Sequence, residues 1–501
     1  VGAQQVSEAF ALRAEGRARG QAHGAVIGGQ SCQREAVYRL RIPRNPGRVE
    51  GLFEGNGHVK KLDSFDCHNR RQEGRSTLPP VYSGAVSKVR LDATDKALLA
   101  GEFGAAAQRA MNLLLRYGEV LGAECFVDIA SAHIDSCLYH GRSGLDFVQA
   151  LLQDHRQVRV PTTLNVTAFD LDNPGLSDVS AETIEIQQEM VRSYLELGCL
   201  PTMTCAPYQA RRRPAFGQHV AWAESNAIVF ANSVLGARTD RYGDFTDICA
   251  ALTGRVPLAG LHLDKNRLAT LVLDVPGPER CRMERDLYFS ALGYVLGERA
   301  GHRVAAIVGA PPDSSEDDLK AVGAAAASSG AVAMFHVVGV TPEAENLEQA
   351  TGHDGPVEHS KVSIEELNAV PDRLCTVQPG EPVAAMCVGT PHFSEREFRR
   401  MADKVAGRHV APGVRVLVST SHAVRHEVET TDWFESMEAF GVELLTDTCT
   451  YLHPAKIPEG GVVVTNSAKW AHYAPGTIAR RAALMSLERC LRCAEEGKIV
   501  A

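Results

Sequence analysis

Short apolar runs closed by Gly, Ser, Thr or Asn recur along most of this chain, and amphipathic stretches separate them. Residues 125–129, 304–308, 332–338, 383–388, 414–418 and 462–464 are β-branched or uniformly apolar, the pattern of strands buried on both faces. Residues 181–197, 279–300, 317–328, 394–405 and 433–440 repeat apolar positions at three and four, which predicts helices. Thr94 and Asp95 precede a further repeat, continued over 105–117, and stand where they can cap a helical pair. This alternation predicts α/β architecture on parallel sheets. No fixed-period repeat or low-complexity linker interrupts the body, and Glu, Gly, Pro and His concentrate near 340–380, where an internal boundary is expected.

Composition narrows the class. The 501 residues are 45% hydrophobic and 23% charged, enough apolar material for two or three packed cores. A net charge of −9 offers no basic surface for nucleic acid or membrane, and the longest apolar stretch, 331–340, is too short to span a bilayer. A soluble protein is expected. Thirteen cysteines, an odd number without small-scaffold spacing or a signal peptide, point to a reducing, cytoplasmic compartment. Charge is uneven, because residues 1–88 carry 14 Lys and Arg against 8 acidic residues, leaving 38 against 53 for the remainder. Residues 1–88 therefore read as a separate basic segment, dense in Arg, Gly, Asn and His and without a convincing core. The start at Val1 is expected of a fragment or processed chain, and Arg13, Arg17 and Arg19 resemble a targeting helix that Glu8 and Glu15 argue against.

In parallel sheets, polar loops at strand exits carry the chemistry. Three of the cysteines stand in such segments beside small polar residues: Cys137, Cys205 and Cys449. Three converging thiolates can hold an iron–sulfur cluster that leaves an iron edge free for substrate. The neighbouring exits add His133, Asn226, Arg238, Asn466, Ser467 and Lys469. Arg238 or Lys469 can pair with a small carboxylate substrate, and Asn226, Asn466 and Ser467 can orient it, which suits an elimination.

Simpler readings stand beside these. Asn-Ser and Thr-Asn pairs after strands commonly make turns and helix caps. Glu224 reads equally as a surface or capping residue, and His392, after Pro391, as a structural or capping group. Cys490 and Cys493 have redox-pair spacing but lie in an amphipathic C-terminal helix with no second pair nearby, which favours a structural role. Neither a dinucleotide fingerprint nor a phosphate loop is found in the sequence.

Residues from about 91 to the C-terminus resemble the catalytic region of the aconitase X family, on motifs that include Ser131-Ala-His-Ile-Asp-Ser-Cys137, Thr204-Cys-Ala-Pro-Tyr208, Ala221-Trp-Ala-Glu-Ser-Asn226, Phe230-Ala-Asn-Ser-Val-Leu-Gly-Ala-Arg238 and Thr465-Asn-Ser-Ala-Lys469. The resemblance implies an aconitase-like region of several parallel-sheet subdomains around a central cluster, over 89–501. It implies a hydro-lyase acting on cis-3-hydroxy-L-proline, with an iron–sulfur cluster, of the [2Fe-2S] type, held by Cys137, Cys205 and Cys449, and Cys387 in reserve. Catalytic roles fall on Lys469, Ser467 and His133, and substrate binding on Asn226, Arg238 and Asn466. The family's other branch, which dehydrates mevalonate 5-phosphate, typically has Cys-Pro-His where this chain has Thr390-Pro-His392, whereas the proline branch carries Cys at the position of Cys137. Only Arg211-Arg-Arg213 offers a phosphate site for that alternative. Family members also use a small swivel domain, fused or separate, thought to bring a catalytic Ser. Its motifs are not found in 1–88, so either the domain comes from a separate swivel subunit, or the chain is a truncated or misassembled version whose first residues are not native family sequence, which the Arg-Gly-His-Asn texture of 38–80 slightly favours; a noncatalytic relic is the further alternative.

Overall fold

The structure is a computed structural model that describes residues 89–500 except 153–156, 211–212, 353–354 and 453–456. The basic segment 1–88, with the swivel-domain question attached to it, and Arg211 and Arg212 lie outside the described residues.

Three sheet systems follow one another along the chain. The first comprises β1 (Phe126–Asp128), β2 (Ala132–Ile134), β3 (Thr162–Leu164), β4 (Ala221–Trp222) and β5 (Arg255–Pro257). Its parallel sheet has the order β3-β2-β4, and β1 pairs antiparallel with β5. The second is a four-stranded parallel sheet, β8-β7-β6-β9, built from β6 (Leu271–Asp274), β7 (Ala305–Val308), β8 (Phe335–Val337) and β9 (Glu358–Lys361). The third has the order β12-β11-β10-β13-β14, all parallel, from β10 (Val383–Val388), β11 (Arg415–Ser419), β12 (Val442–Leu445), β13 (Val462–Thr465) and β14 (Ala482–Leu484).

The expected strands in the second and third systems are present, and β10 is buried at every residue. Residues 125–129 depart from the expectation. Their middle, Phe126–Asp128, forms an antiparallel strand whose burial falls from buried Phe126 to exposed Asp128, and β2 follows at once, so His133 sits on a strand instead of in an exit loop. Two further corrections concern helices. The first helix, Ala93–Ala100, is capped by Asp92 in a reciprocal box with Asp95, not by Thr94. The expected helix over 279–300 breaks at Arg282, whose φ of 52° lies in the left-handed region, into Pro278–Cys281 and Arg285–Ala300.

Serines after strands prove to be caps. Ser394, Ser421, Ser467 and Ser486 each accept an amide three residues on, opening the helices Glu395–Val405, His422–Val428, Ala468–Thr477 and Leu487–Glu496. Cys490 and Cys493 are buried in the last of these, against Met485, which agrees with a structural role.

The first and second systems meet at Arg267, a guanidinium only 2% exposed. It pairs with Glu343 and donates to the carbonyls of Asn232, Ala237 and Leu261. The first and third meet in a loop handshake. Asp170 accepts from the amide and hydroxyl of Thr446, while Asp447 accepts from the amide of Leu171 and its carbonyl from that of Thr167. These joints bring the loop after β3, the loop before residue 206 and the loop after β12 together.

Candidate metal centre and active site

Two loops present a thiol in the same local setting. Met203-Thr204-Cys205 and Asp447-Thr448-Cys449 each carry a non-glycine residue in the left-handed region two positions before the cysteine, with φ 38° at Met203 and 65° at Asp447. Such backbone is held only where the surroundings over-determine it. The two sulfurs lie 3.7 Å apart, and a ring nitrogen of His392 completes a buried group whose donor atoms all lie within 4.8 Å of one another. A disulfide would need about 2.05 Å, whereas two sulfurs bound to one tetrahedral metal at about 2.3 Å stand about 3.8 Å apart. The spacing is that of paired metal ligands.

Protonation fits the same use. The hydrogen bond from Cys205, opposed by burial and aided by His392 and Lys469, holds the Cys449 thiol well below its usual range, while burial and the Cys449 partner push Cys205 up. The backbone amide of His392 donates to Cys205 Sγ at 3.3 Å, and its ring bonds Thr204 Oγ1 at 3.0 Å and the Thr448 carbonyl at 3.1 Å. Each Thr preceding a cysteine therefore anchors the same imidazole.

Beside the thiols, Lys469 Nζ meets Glu224 Oε1 at 2.5 Å, both nearly inaccessible. Burial disfavours the ammonium, but the charge and hydrogen bond of the Glu224 carboxylate more than offset it, so Lys469 stays charged. Glu224 itself adopts φ 70° and caps the helix Ser225–Ser233 through the amide of Ala227. Its other contact is Asn226 Nδ2, which also donates to the Cys205 carbonyl at 3.0 Å; Asn226 Oδ1 accepts from Tyr208 at 2.6 Å. Lys469, Asn466 and Ser467 also border a cavity of about 370 Å³ between the second and third sheet systems.

The structure thus brings Cys205, Cys449, Lys469 and Asn226 together, with Asn466 and Ser467 at the cavity. It does not bring in the others. Arg238 pairs with Asp264 at 2.5 Å at the edge of the first sheet system, so its expected carboxylate contact is corrected: an acidic partner remote in sequence takes the guanidinium. Ser467 donates to the Thr390 carbonyl and caps its helix, which leaves its hydroxyl committed to the fold. His133 bonds Thr163 Oγ1 at 2.8 Å, and burial lowers its pKa to about 3, so it is neutral and sits beneath the site. Cys137 lies outside the 4.8 Å group, its thiol turned to the carbonyls of Ile134, Asn165 and Val166; Val166 in turn packs on Cys205 and Cys449. Cys387 is buried in the core with β10.

Two contributors were under-read from sequence, His392 and Glu224. Pro391 and Ser394 around the one, and the position of the other before a helix, gave only structural signals, and both residues do carry such roles as well. Around His392, Thr390 Oγ1 and Gln209 Oε1 are buried without a partner among the described residues. Soft sulfur donors, an imidazole and unmet polar atoms are a donor set that fits an iron–sulfur group.

The comparisons now bear on this geometry. Residues 88–265, 269–372 and 383–496 match the Aconitase X first, second and third domains in turn. The chain belongs to the aconitase X family. The three matches follow the three sheet systems, so the joints described above are joints between family domains. The cis-3-hydroxy-L-proline dehydratase of Pseudomonas aeruginosa is 42% identical over 82% of this chain and 70% of its own length, and that of Hypocrea jecorina 41% over 82% and 69%. The phosphomevalonate dehydratase large subunit of Methanothermobacter thermautotrophicus is 38% identical over 78% of this chain and 95% of its own. The holo-form crystal structure of Thermococcus kodakaraensis aconitase X superposes with a TM-score of 0.72 at 30% identity, over 81% of this chain and all of that one. Among the described residues no helix is long and apolar enough to cross a membrane.

Proposed function

We propose that this chain is the catalytic region of a hydro-lyase that removes water from cis-3-hydroxy-L-proline to give Δ1-pyrroline-2-carboxylate. The observation that carries the reading is the buried Cys205–Cys449–His392 group beside the Lys469–Glu224 pair. The two relatives above 40% identity, both named for that substrate, give it direction. Cys205, Cys449 and Cys137 would hold a [2Fe-2S] cluster, with His392 against the first two. A two-iron group is wider than one ion, which is why Cys137, behind Val166, remains a ligand in this reading. When bound, the cluster supplies a Lewis-acidic iron for the leaving hydroxyl.

The chain's own residues do the rest of the positioning. Lys469, kept charged by Glu224, offers a fixed cation to the substrate carboxylate. Asn226 ties Glu224 to the Cys205 carbonyl, so carboxylate site and metal site move as one body. Asn466 borders the cavity through which a ring amino acid reaches them. Burial of the whole group excludes water, which sharpens every charge within it. The proton-abstracting group comes from a small companion domain. The archaeal relatives' designation as large subunits supports a partner of this kind.

The deciding experiment reconstitutes the chain with iron and sulfide under anaerobic conditions and supplies the small domain of a relative. Turnover of cis-3-hydroxy-L-proline and none of mevalonate 5-phosphate is expected. Turnover of the phosphate alone reverses the assignment, and turnover of neither substrate by the cluster-loaded complex favours a relic.

A further inference from the structure

The first and third domains supply every donor atom of the metal group, and the second supplies none. It nevertheless reaches the group through one side chain. Lys320, on the helix Glu316–Ser329 of the second domain, is 4% exposed and donates from Nζ to the His392 carbonyl at 3.2 Å. Its other contacts are the Glu397 carboxylate in the third domain and Asp317 at 3.5 Å on its own helix. Two of the three ammonium N–H donors are thus hydrogen-bonded across domains, and Asp317 adds charge at ion-pair distance.

The His392 carbonyl accepts a second hydrogen bond, from Gln209 Nε2 of the first domain at 2.8 Å. One oxygen is thus clamped by two domains while the residue it belongs to sits in a third. The opposite face of that residue works on the metal group, because its amide donates to Cys205 Sγ at 3.3 Å and its ring lies beside Cys449. Hydrogen bonds to ligand sulfurs set how strongly those sulfurs donate to metal, and outer partners that orient a ligand are nearly as important as the ligand. Joining two domains does not by itself require a charge at this point, since buried ion pairs add little over apolar packing. The charge is placed where it polarises one particular carbonyl.

We propose that Lys320 is a positioning residue for the metal group, holding the His392 backbone by its carbonyl so that the amide of the same residue meets Cys205 and its imidazole meets Cys449. Through it the second domain governs the geometry and affinity of a centre to which it gives no ligand. Gln209 is the matching clamp from the first domain.

The inference rests on the reading of Cys205 and Cys449 as ligands with His392 beside them, and cobalt(II) binding to the metal-free full chain tests the two separately. Thiolate-to-cobalt absorption reports ligation, the ligand-field bands report geometry, and titration gives affinity. Wild-type chain is expected to bind. Lys320→Met is expected to bind about ten- to hundred-fold more weakly with shifted ligand-field bands, and Lys320→Arg to recover part of both. Gln209→Leu, which changes no charge, shifts the bands in the same direction and serves if Lys320→Met does not fold. Failure of the wild type to give thiolate absorption overturns the ligand reading. Wild-type affinity and bands in either Lys320→Met or Gln209→Leu, whatever the melting temperature, overturn the role of the clamp.

Discussion

The two cysteine loops look alike locally and are held in opposite ways. Met203-Thr204-Cys205 is secured mainly by side chains of the site itself: Asn226 on its carbonyl, and His392 on its threonine and its sulfur. Asp447-Thr448-Cys449 is secured by the handshake with Asp170 and by His422, which bonds Asp447 Oδ1 at 2.8 Å. The first loop has one further tie, from the Thr204 amide to the Leu164 carbonyl of β3, whereas the second is built into a joint between domains; the His392 ring is common to both.

The strongest way to break the comparison is to remove the sulfurs. Cys449→Ser and Cys205→Ser should each reduce iron retained after reconstitution and desalting to a small fraction of wild type, measured as iron per chain. Equal loss from both shows that, different supports notwithstanding, they are equal ligands. Next in size, Glu224→Leu strips Lys469 of its buried counter-charge and should cost about 3–5 kcal/mol in denaturant unfolding. A loss under 1 kcal/mol would mean that Lys469 finds another partner. Asp170→Ala leaves the amide and hydroxyl of Thr446 without an acceptor, at about 1–3 kcal/mol for each unmet buried group. It should loosen the Cys449 loop while the wild-type bond between Thr204 and His392 persists. Thr204→Val, the counterpart in the first loop, should cost about 1 kcal/mol and yet disturb cobalt spectra more than Asp170→Ala does.

Acidity separates the loops in a second way. His133, beneath the first loop, has its folded pKa lowered to about 3 by burial. The unfolded chain therefore takes up a proton first as pH falls below about 6.5, and stability drops by about 1.4 kcal/mol per pH unit down to the folded value. At His422 burial lowers the pKa, but the hydrogen bond and charge of Asp447 outweigh it, and the net shift is upward. Its contribution is fully present below the unfolded value and is lost as pH rises through the folded one. His133→Gln should flatten the acid side of the stability profile and His422→Gln the alkaline side. Both variants altering the same side would refute the contrast.

Much of the third domain was legible because Val383–Val388, Arg415–Ser419 and Val462–Thr465 are long enough to show an apolar run. In the first domain, strands of two or three residues such as Ala132–Ile134 and Ala221–Trp222 carry no pattern, since their burial comes from neighbours remote in sequence. The site followed the same rule. Cys205, Cys449 and Lys469, singled out by residue type, lie close together in the fold. Glu224 and His392 were half hidden, because a cap and a ligand-side group look the same in one dimension. Arg238 misled because Asp264, which takes its charge, is 26 positions along and unremarkable in the sequence.

The sulfurs that touch at this centre belong to residues 244 positions apart. During synthesis the first domain emerges and folds well before Cys449 leaves the ribosome. No metal site of this kind exists on such a partial chain, however well its first domain has folded. The centre is thereby postponed until the third domain is complete, and a chain cut short before Cys449 lacks half of the sulfur pair.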